Sequence, residues 1–216
     1  MIKQQTENRR IWLWVSGLAA LLPLLLLVRP TQAAVVPVAC DVDELISAID
    51  GANGNGEVDT ISLAAGCTYT LTDVDNVTDG NNGLPSIASE LIIQGNGATI
   101  QRIGEGPALR IFHVATTGIL TITNLALSEG YAPGDVGGGV LNRGVFSAED
   151  STFNNNSADM GGALYNYGIV TLTGSTIAFN TGYNVAGGLY NDAGGMLTLI
   201  NATVSGNDTY SDGGGI

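Results

Sequence analysis

After Lys3 the chain contains no lysine, and beyond residue 33 its only basic side chains are Arg102, Arg110 and Arg143. Nineteen Asp and Glu stand against them there, a net charge near −16. Such a surface repels the phosphates of nucleic acid and anionic lipid. The acids serve either to keep an exposed sheet dispersed outside a cell or, more sharply, to offer oxygen ligands to calcium. With His113 the sole histidine, no imidazole cluster can hold zinc. His113 precedes an alternating run with no carboxylate nearby in sequence, so it is expected as a turn or surface residue, not a general base. Cysteine is scarce too, and no CxxC pattern supports redox chemistry. Cys40 and Cys67, both downstream of an export signal, are expected to form a disulfide in an oxidising compartment. Closing that loop is worth about 3 kcal/mol in the chain-entropy model.

Long apolar runs are absent except for Ile11–Val28, an uncharged stretch preceded by Lys3, Arg9 and Arg10. Thr31 and Ala33 place small residues at the −3 and −1 positions of a cleavage point. Residues 1–33 are therefore expected to be a secretory signal, favoured over a retained signal-anchor by Pro23 and the Ala33-Ala34 end, although the run is long enough to span a bilayer. The expected location is extracellular or cell-surface. Membrane contact would come only through an uncleaved leader or an anchor beyond Ile216.

What the chain has in abundance is repetition. Gly137-Gly138-Gly139-Val140-Leu141-Asn142 aligns with Gly161-Gly162-Ala163-Leu164-Tyr165-Asn166, then Ala186-Gly187-Gly188-Leu189-Tyr190-Asn191, and Gly213-Gly214-Gly215-Ile216 begins a fourth copy. The steps are 24, 25 and 27 residues. Inside each copy apolar positions alternate with period two, a strand signature. The columns are Leu120, Phe146, Val170, Leu197; Ile122, Ala148, Leu172, Leu199; and Leu127, Phe153, Ile177, Val204. About three short strands per copy cannot bury their own apolar face, so copies must stack.

The expected fold is all-β: a right-handed parallel β-helix, the hand following from the parallel-crossover rule, rising about 4.8 Å per coil. Asn142, Asn166 and Asn191 then form one column and Asn156, Asn180 and Asn207 another. Their amides can hydrogen-bond up the stack as the backbone does, and asparagine suits left-handed turns. The glycine clusters are expected to turn the chain through positive φ.

Upstream, residues 34–105 read as a cap and irregular first coils, and 106–216 as the regular repeats. Asp41–Ile49 reads as a short helix with Asp41 and Glu44 at capping-box spacing and Leu45, Ile46 and Ile49 on one face. That face would close the open end of the core. The halt at Gly213–Ile216, a segment that elsewhere opens a coil, is read as a domain cut short.

The repeats "GGAL" (161–164) and "FNNN" (153–156) resemble the GGA[ILV] and FxxN repeats of chlamydial polymorphic outer membrane proteins. Cys40–Thr72 resembles the N-terminal module of bacterial secreted proteins named for a CSLREA motif. The resemblance implies a pectin-lyase-like β-helix displayed outside the cell, with adhesion as the role attributed to the polymorphic proteins; their membrane β-barrel has no counterpart in this chain.

That fold also hosts lyases and hydrolases, so the residues must decide. The Asn-Thr-Asp, Asp-Asp, His-Gly and Arg-Ile-Lys signatures of polygalacturonases are absent, and the three arginines read as solvated or turn-stabilising. No catalytic residue is assigned. Asp135, Asp159, Asn184 and Asp212 each lie just before their glycine cluster, so stacking is expected to bring them into a rough column where a calcium ion could relieve repulsion; no cofactor is otherwise required. Residues Asp73–Gly83 form a second acidic loop, but Val77 stands where an EF-hand needs a ligand. The expected function is adhesion or binding of extracellular carbohydrate or surface protein through variable loops, Asn155–Met160 and Thr181–Val185, with Asn155, Asp159, Tyr183 and Asn184 as contacts. The alternatives are a carbohydrate-active enzyme and a purely structural envelope protein.

Overall fold

A computed structural model describes residues 35–216; the expected leader lies outside them. The chain forms β1 (Val35–Val38), α1 (Val42–Asn55), β2 (Asp59–Leu63), β3 (Thr68–Leu71), β4 (Glu90–Arg102), β5 (Phe112–Val114) and β6 (Ile119–Ser128). Then follow β7 (Tyr131–Val136), β8 (Val140–Asn142), β9 (Val145–Glu149), β10 (Thr152–Asn154), β11 (Ser157–Met160), β12 (Leu164–Asn166) and β13 (Ile169–Thr173). The last are β14 (Thr176–Ala178), β15 (Thr181–Val185), β16 (Leu189–Asn191), β17 (Met196–Ile200), β18 (Thr203–Ser205) and β19 (Asp208–Thr209). Every pairing between these strands is parallel, and the result is a β-solenoid of about seven turns with one helix near its start.

Each regular coil supplies four short strands, not three: β8 to β11, then β12 to β15, then β16 to β19. They belong to three sheets. The largest holds 11 strands and takes two segments from each coil; β5, β8, β12 and β16 form a second sheet, and β7, β11, β15 and β19 a third. The three apolar columns expected from the repeat are in register, as Leu120↔Phe146, Val170↔Leu197, Leu172↔Leu199 and Ile177↔Val204 show. Phe146, Val170, Leu172 and Phe153 are fully buried, each such burial contributing about 1.5–3 kcal/mol. Leu197, Leu199 and Val204 of the final coil are only partly buried and pack against that core from one side.

Both asparagine ladders form. Asn142 Nδ2 donates to Asn166 Oδ1 at 2.8 Å and Asn166 Nδ2 to Asn191 Oδ1 at 2.7 Å. Asn156 Nδ2 donates to Asn180 Oδ1 at 3.0 Å and Asn180 Nδ2 to Asn207 Oδ1 at 2.9 Å. The left-handed turn residue, however, is the one before the second ladder: Asn155 (φ 56°), Phe179 (φ 57°) and Gly206 (φ 60°). The ladder amides instead fasten the corner by bonding main-chain groups on both sides of it. In the glycine clusters the first residue has positive φ, as at Gly137 and Gly161. The second must be glycine for a different reason: a Cβ on Gly138 or Gly162 would strike the carbonyl oxygen of Ser157 or Thr181.

Helix α1 runs to Asn55, six residues past the expected end, and stops at Gly56 in the left-handed region (φ 69°). Asp41 Oδ1 accepts from the N–H groups of Asp43 and Glu44. Glu44 reaches Ala39 N–H at 3.0 Å instead of closing a box on Asp41. Leu45, Ile49 and Ala52 are the buried face, sealing the first coil as expected. Cys40 and Cys67 form the disulfide, tying the segment before α1 to the turn before β3.

Candidate functional site

Two places on the outside of the solenoid bring polar side chains together. The first lies under residues 73–83, a strap that follows β3 and packs against Arg110, β5 and the corner after β8. Its base is closed by Asp75 N–H donating to Asn82 C=O (2.8 Å) and Asn82 N–H to Asn76 C=O (2.9 Å). It is sewn to the body by Arg110 N–H to Asn81 C=O (3.0 Å) and Gly83 N–H to Arg110 C=O (2.9 Å). The fully buried Asn82 side chain shapes the tip from within, its Nδ2 meeting Asn76 Oδ1, Thr78 O and Gly80 O at 2.8 to 3.0 Å. The tip itself is an Asp-Gly turn with Asp79 at φ 53° and Gly80 at φ 112°.

Under that tip the Asp79 carboxylate accepts from Arg143 Nε at 2.7 Å, and the same oxygen lies 3.3 Å from His113 Nε2, off the line of a good hydrogen bond. On its other side His113 Nδ1 meets Ser86 Oγ at 2.9 Å. Arg143 stands over the ring of Tyr167, 4.5 Å from its centroid. Next to this group Arg110, fully buried, pairs with Asp135. Gly80 lies so close above that pair that a Cβ there would fall on Asp135 Oδ2 and Arg110 Nη2. Among the described residues the buried side-chain atoms without a protein hydrogen-bond partner are Asn82 Oδ1, Arg110 Nε and Nη1, and His113 Nε2, all of them here.

Burial pulls the Arg110 guanidinium below its usual pKa, opposed by Asp135. Burial likewise lowers His113 from its ordinary 6.5; Asp79 opposes this, and Arg110 and Arg143 reinforce it. The groups facing the imidazole are thus Asp79, Ser86, Arg110 and Arg143. A folded-state pKa below the unfolded one means the unfolded chain takes up the proton first. Stability from neutral His113 is complete above about 6.5 and is lost as pH falls through that value towards the lowered one. Melting wild type and His113→Gln between pH 7.5 and 5 should therefore show the wild type losing more on acidification, with the carboxylate contributions cancelling in the difference. Parallel pH profiles would contradict the assignment.

The second place is the outer face of the β7–β11–β15–β19 sheet, beginning at a cleft of about 280 Å³ lined by Gly80, Asn81, Leu109, Ala132, Pro133 and Asp135. From this cleft a chain of hydrogen bonds runs along the solenoid: Gly134 N–H to Asp159 Oδ1 (2.8 Å), then Asn184 Nδ2 to Asp159 Oδ2 (3.0 Å). Beside Asn184, the rings of Tyr183 and Tyr210 lie nearly parallel, 6.0 Å apart with an 8° tilt.

The residues expected to carry function are thus only partly assembled. Asp159, Tyr183 and Asn184 share one strip. Asn155 sits at the left-handed corner between β10 and β11, and among the described residues no hydrogen bond joins it to them. The segments expected as variable loops, Asn155–Met160 and Thr181–Val185, are mostly strands β11 and β15. Strand register also breaks the four-residue column. Ala158 and Met160 pair with Ala132 and Val136, so one extra pair of residues bulges out at Pro133–Asp135. Asp135 turns to Arg110, while Asp212 aligns with Val185, one position beyond Asn184. Among the described residues no three His, Cys, Asp or Glu side chains converge as a metal site.

The arginines and His113 correct the expectation of solvated or turn roles. Arg102 alone is turn-stabilising, donating to the carbonyls of Glu129, Gly106 and Gly104. Arg110 and His113 are buried and Arg143 holds a carboxylate 64 positions away in sequence. No local pattern signals that meeting; the Asp79-Gly80 turn is its only trace in the sequence.

Compared with protein-family models, curated proteins and solved structures, the chain has no significant match in any of the three. The structure is a parallel β-solenoid of about seven turns, and no match supports either repeat family.

Proposed function

We propose that this is a secreted or cell-surface β-solenoid whose work is contact, and that it binds extracellular carbohydrate along the outer face of the β7–β11–β15–β19 sheet. The observation that carries this reading is the pair of parallel tyrosines, Tyr183 and Tyr210, beside the Asp159–Asn184 pair. Tyr210 is 79% exposed, an amphipathic ring offered to solvent. Sugar rings lay their C–H faces on such rings while their hydroxyls bond to a neighbouring carboxylate and amide. A rigid scaffold holds both at fixed spacing. The GGA[ILV] and FxxN resemblance favours the same adhesive role, and the leader-like residues 1–33 favour export.

Screening on a glycan array followed by calorimetry tests it. Tyr210→Ala should weaken the best ligand about tenfold, the loss of one aromatic contact worth roughly 1–1.5 kcal/mol. Unchanged affinity, or no glycan bound at all, would remove the reading; the second result would favour a structural envelope role. The enzymatic alternative draws on the convergence of Asp79, His113 and Arg143. Release of unsaturated or reducing sugars from uronate polymers, abolished by changing Asp79 or Arg143, would establish it instead.

A further inference from the structure

The strap cluster has a shape that neither a stable core nor a solvated surface explains. Its basic groups belong to the rigid body: His113 lies on β5, and Arg143 occupies the corner between β8 and β9, its N–H bonded to Val114 C=O at 2.9 Å. Tyr167, at the equivalent corner one coil on, supports the guanidinium from beneath. The carboxylate they face comes from elsewhere, on the projecting tip of the strap. That tip has Val77 72% exposed, and its ion pair is open to solvent, with side-chain exposures of 35% for Arg143 and 41% for Asp79. Exposed pairs of this kind hold weakly. Seating the tip leaves His113 Nε2 facing Asp79 at 3.3 Å without a well-aligned bond, and Asn82 Oδ1 and Arg110 Nε and Nη1 buried without a protein hydrogen bond.

We infer that the face under the strap tip is a carboxylate-binding cradle, formed by Arg143 on Tyr167 with His113 and Arg110 behind it, which Asp79 occupies in the resting chain. Its external ligand is an aspartate- or glutamate-bearing loop of a partner protein. The present occupant says which class: it is itself a carboxylate on an extended peptide turn. The base of the strap is fastened through Asn81 and Gly83, so only the tip, Val77–Gly80, has to lift, breaking the bonds from Asn82 Nδ2 to the Thr78 and Gly80 carbonyls. Lifting it hydrates the unpaired atoms and joins the cradle to the cleft that Gly80 and Asp135 wall off. Because Asp79 is tethered, it competes at an effective concentration of order millimolar, and an outside ligand is weakened in proportion to the occupied fraction. Of the three arginines that follow the leader, Arg102 is committed to carbonyls. Arg110 is committed to Asp135, so among the described residues Arg143 is the arginine whose carboxylate partner sits on a projecting loop.

The test uses a fluorescent synthetic peptide of strap sequence, Asp73–Gly83, titrated against the full chain by anisotropy. Asp79→Asn should bind it at least tenfold more tightly than wild type. Adding Arg143→Gln to that variant should abolish the gain, and a peptide carrying Asn in place of its own Asp79 should not bind. A folded Asp79→Asn variant without gained affinity would overturn the proposal, as would equal binding of the Asn peptide or a gain confined to galacturonate oligomers. Hydrogen exchange on unaltered protein gives a second check that needs no variant. Amides at Val77–Gly80 should exchange at least a hundredfold faster than those of β8 and β12, and equal protection would refute a lifting tip.

Discussion

Leu172→Asp is expected to unfold the regular coils, lowering stability by at least about 4 kcal/mol, whereas Thr171→Lys one residue away should change it by less than about 0.5 kcal/mol. Leu172 is fully buried and stacks between Ala148 and Leu199 on adjacent rungs. A carboxylate there has no partner and no water, so it must either protonate or force the coils apart. Thr171 faces outward between Ser147 and Thr198, where a lysine stem can reach solvent. Since each coil is held only by its neighbours, damage at this rung also removes the platform for the coils on either side. Urea denaturation followed by far-ultraviolet circular dichroism measures both variants. Similar midpoints for the two would mean that the inward and outward faces are wrongly assigned.

Asn180→Ala should destabilise by about 3–5 kcal/mol, nearly as much as a large core truncation, although no apolar side chain is lost. Asn180 Nδ2 donates to Phe153 C=O (2.9 Å), Ala178 C=O (3.0 Å) and Asn207 Oδ1 (2.9 Å), and its Oδ1 accepts from Asn156 N–H (2.9 Å). Truncation leaves the Asn156 main-chain N–H buried without a partner, costing about 1–3 kcal/mol, and removes the other bonds of the Asn180 amide, each worth about 0.5–1.5 kcal/mol. Asn191→Ala at the exposed end of the other ladder should cost only about 1 kcal/mol, because Asn166 Nδ2 keeps its bonds to Gly168 and Met196 carbonyls. Equal losses at the two positions in the same urea titration would show that ladder asparagines act by turn propensity alone.

These two experiments probe the part of the molecule most legible from its residues. Columns such as Leu120, Phe146, Val170, Leu197 could be placed by alignment alone, because a solenoid turns sequence period into spatial neighbourhood. The same reasoning located both asparagine ladders and the disulfide. It misassigned what the period does not govern. The extra length of α1 was hidden by Gly51 and Gly54, poor helix formers that packing tolerates. The proposed column of Asp135, Asp159, Asn184 and Asp212 assumed strict register, which the bulge at Pro133–Asp135 breaks.

Composition and repetition by themselves determined that this chain stacks parallel coils around an aliphatic core and carries an acidic exterior, since alternation and identical spacing admit few other ways to bury the apolar face. Only the tertiary structure decided which outward residues act together. Asp79 meets His113 and Arg143 because an irregular strap, lying outside the repeat, folds against residues supplied by two later coils. A contact between a non-repeating loop and a repeating body has no period to announce it.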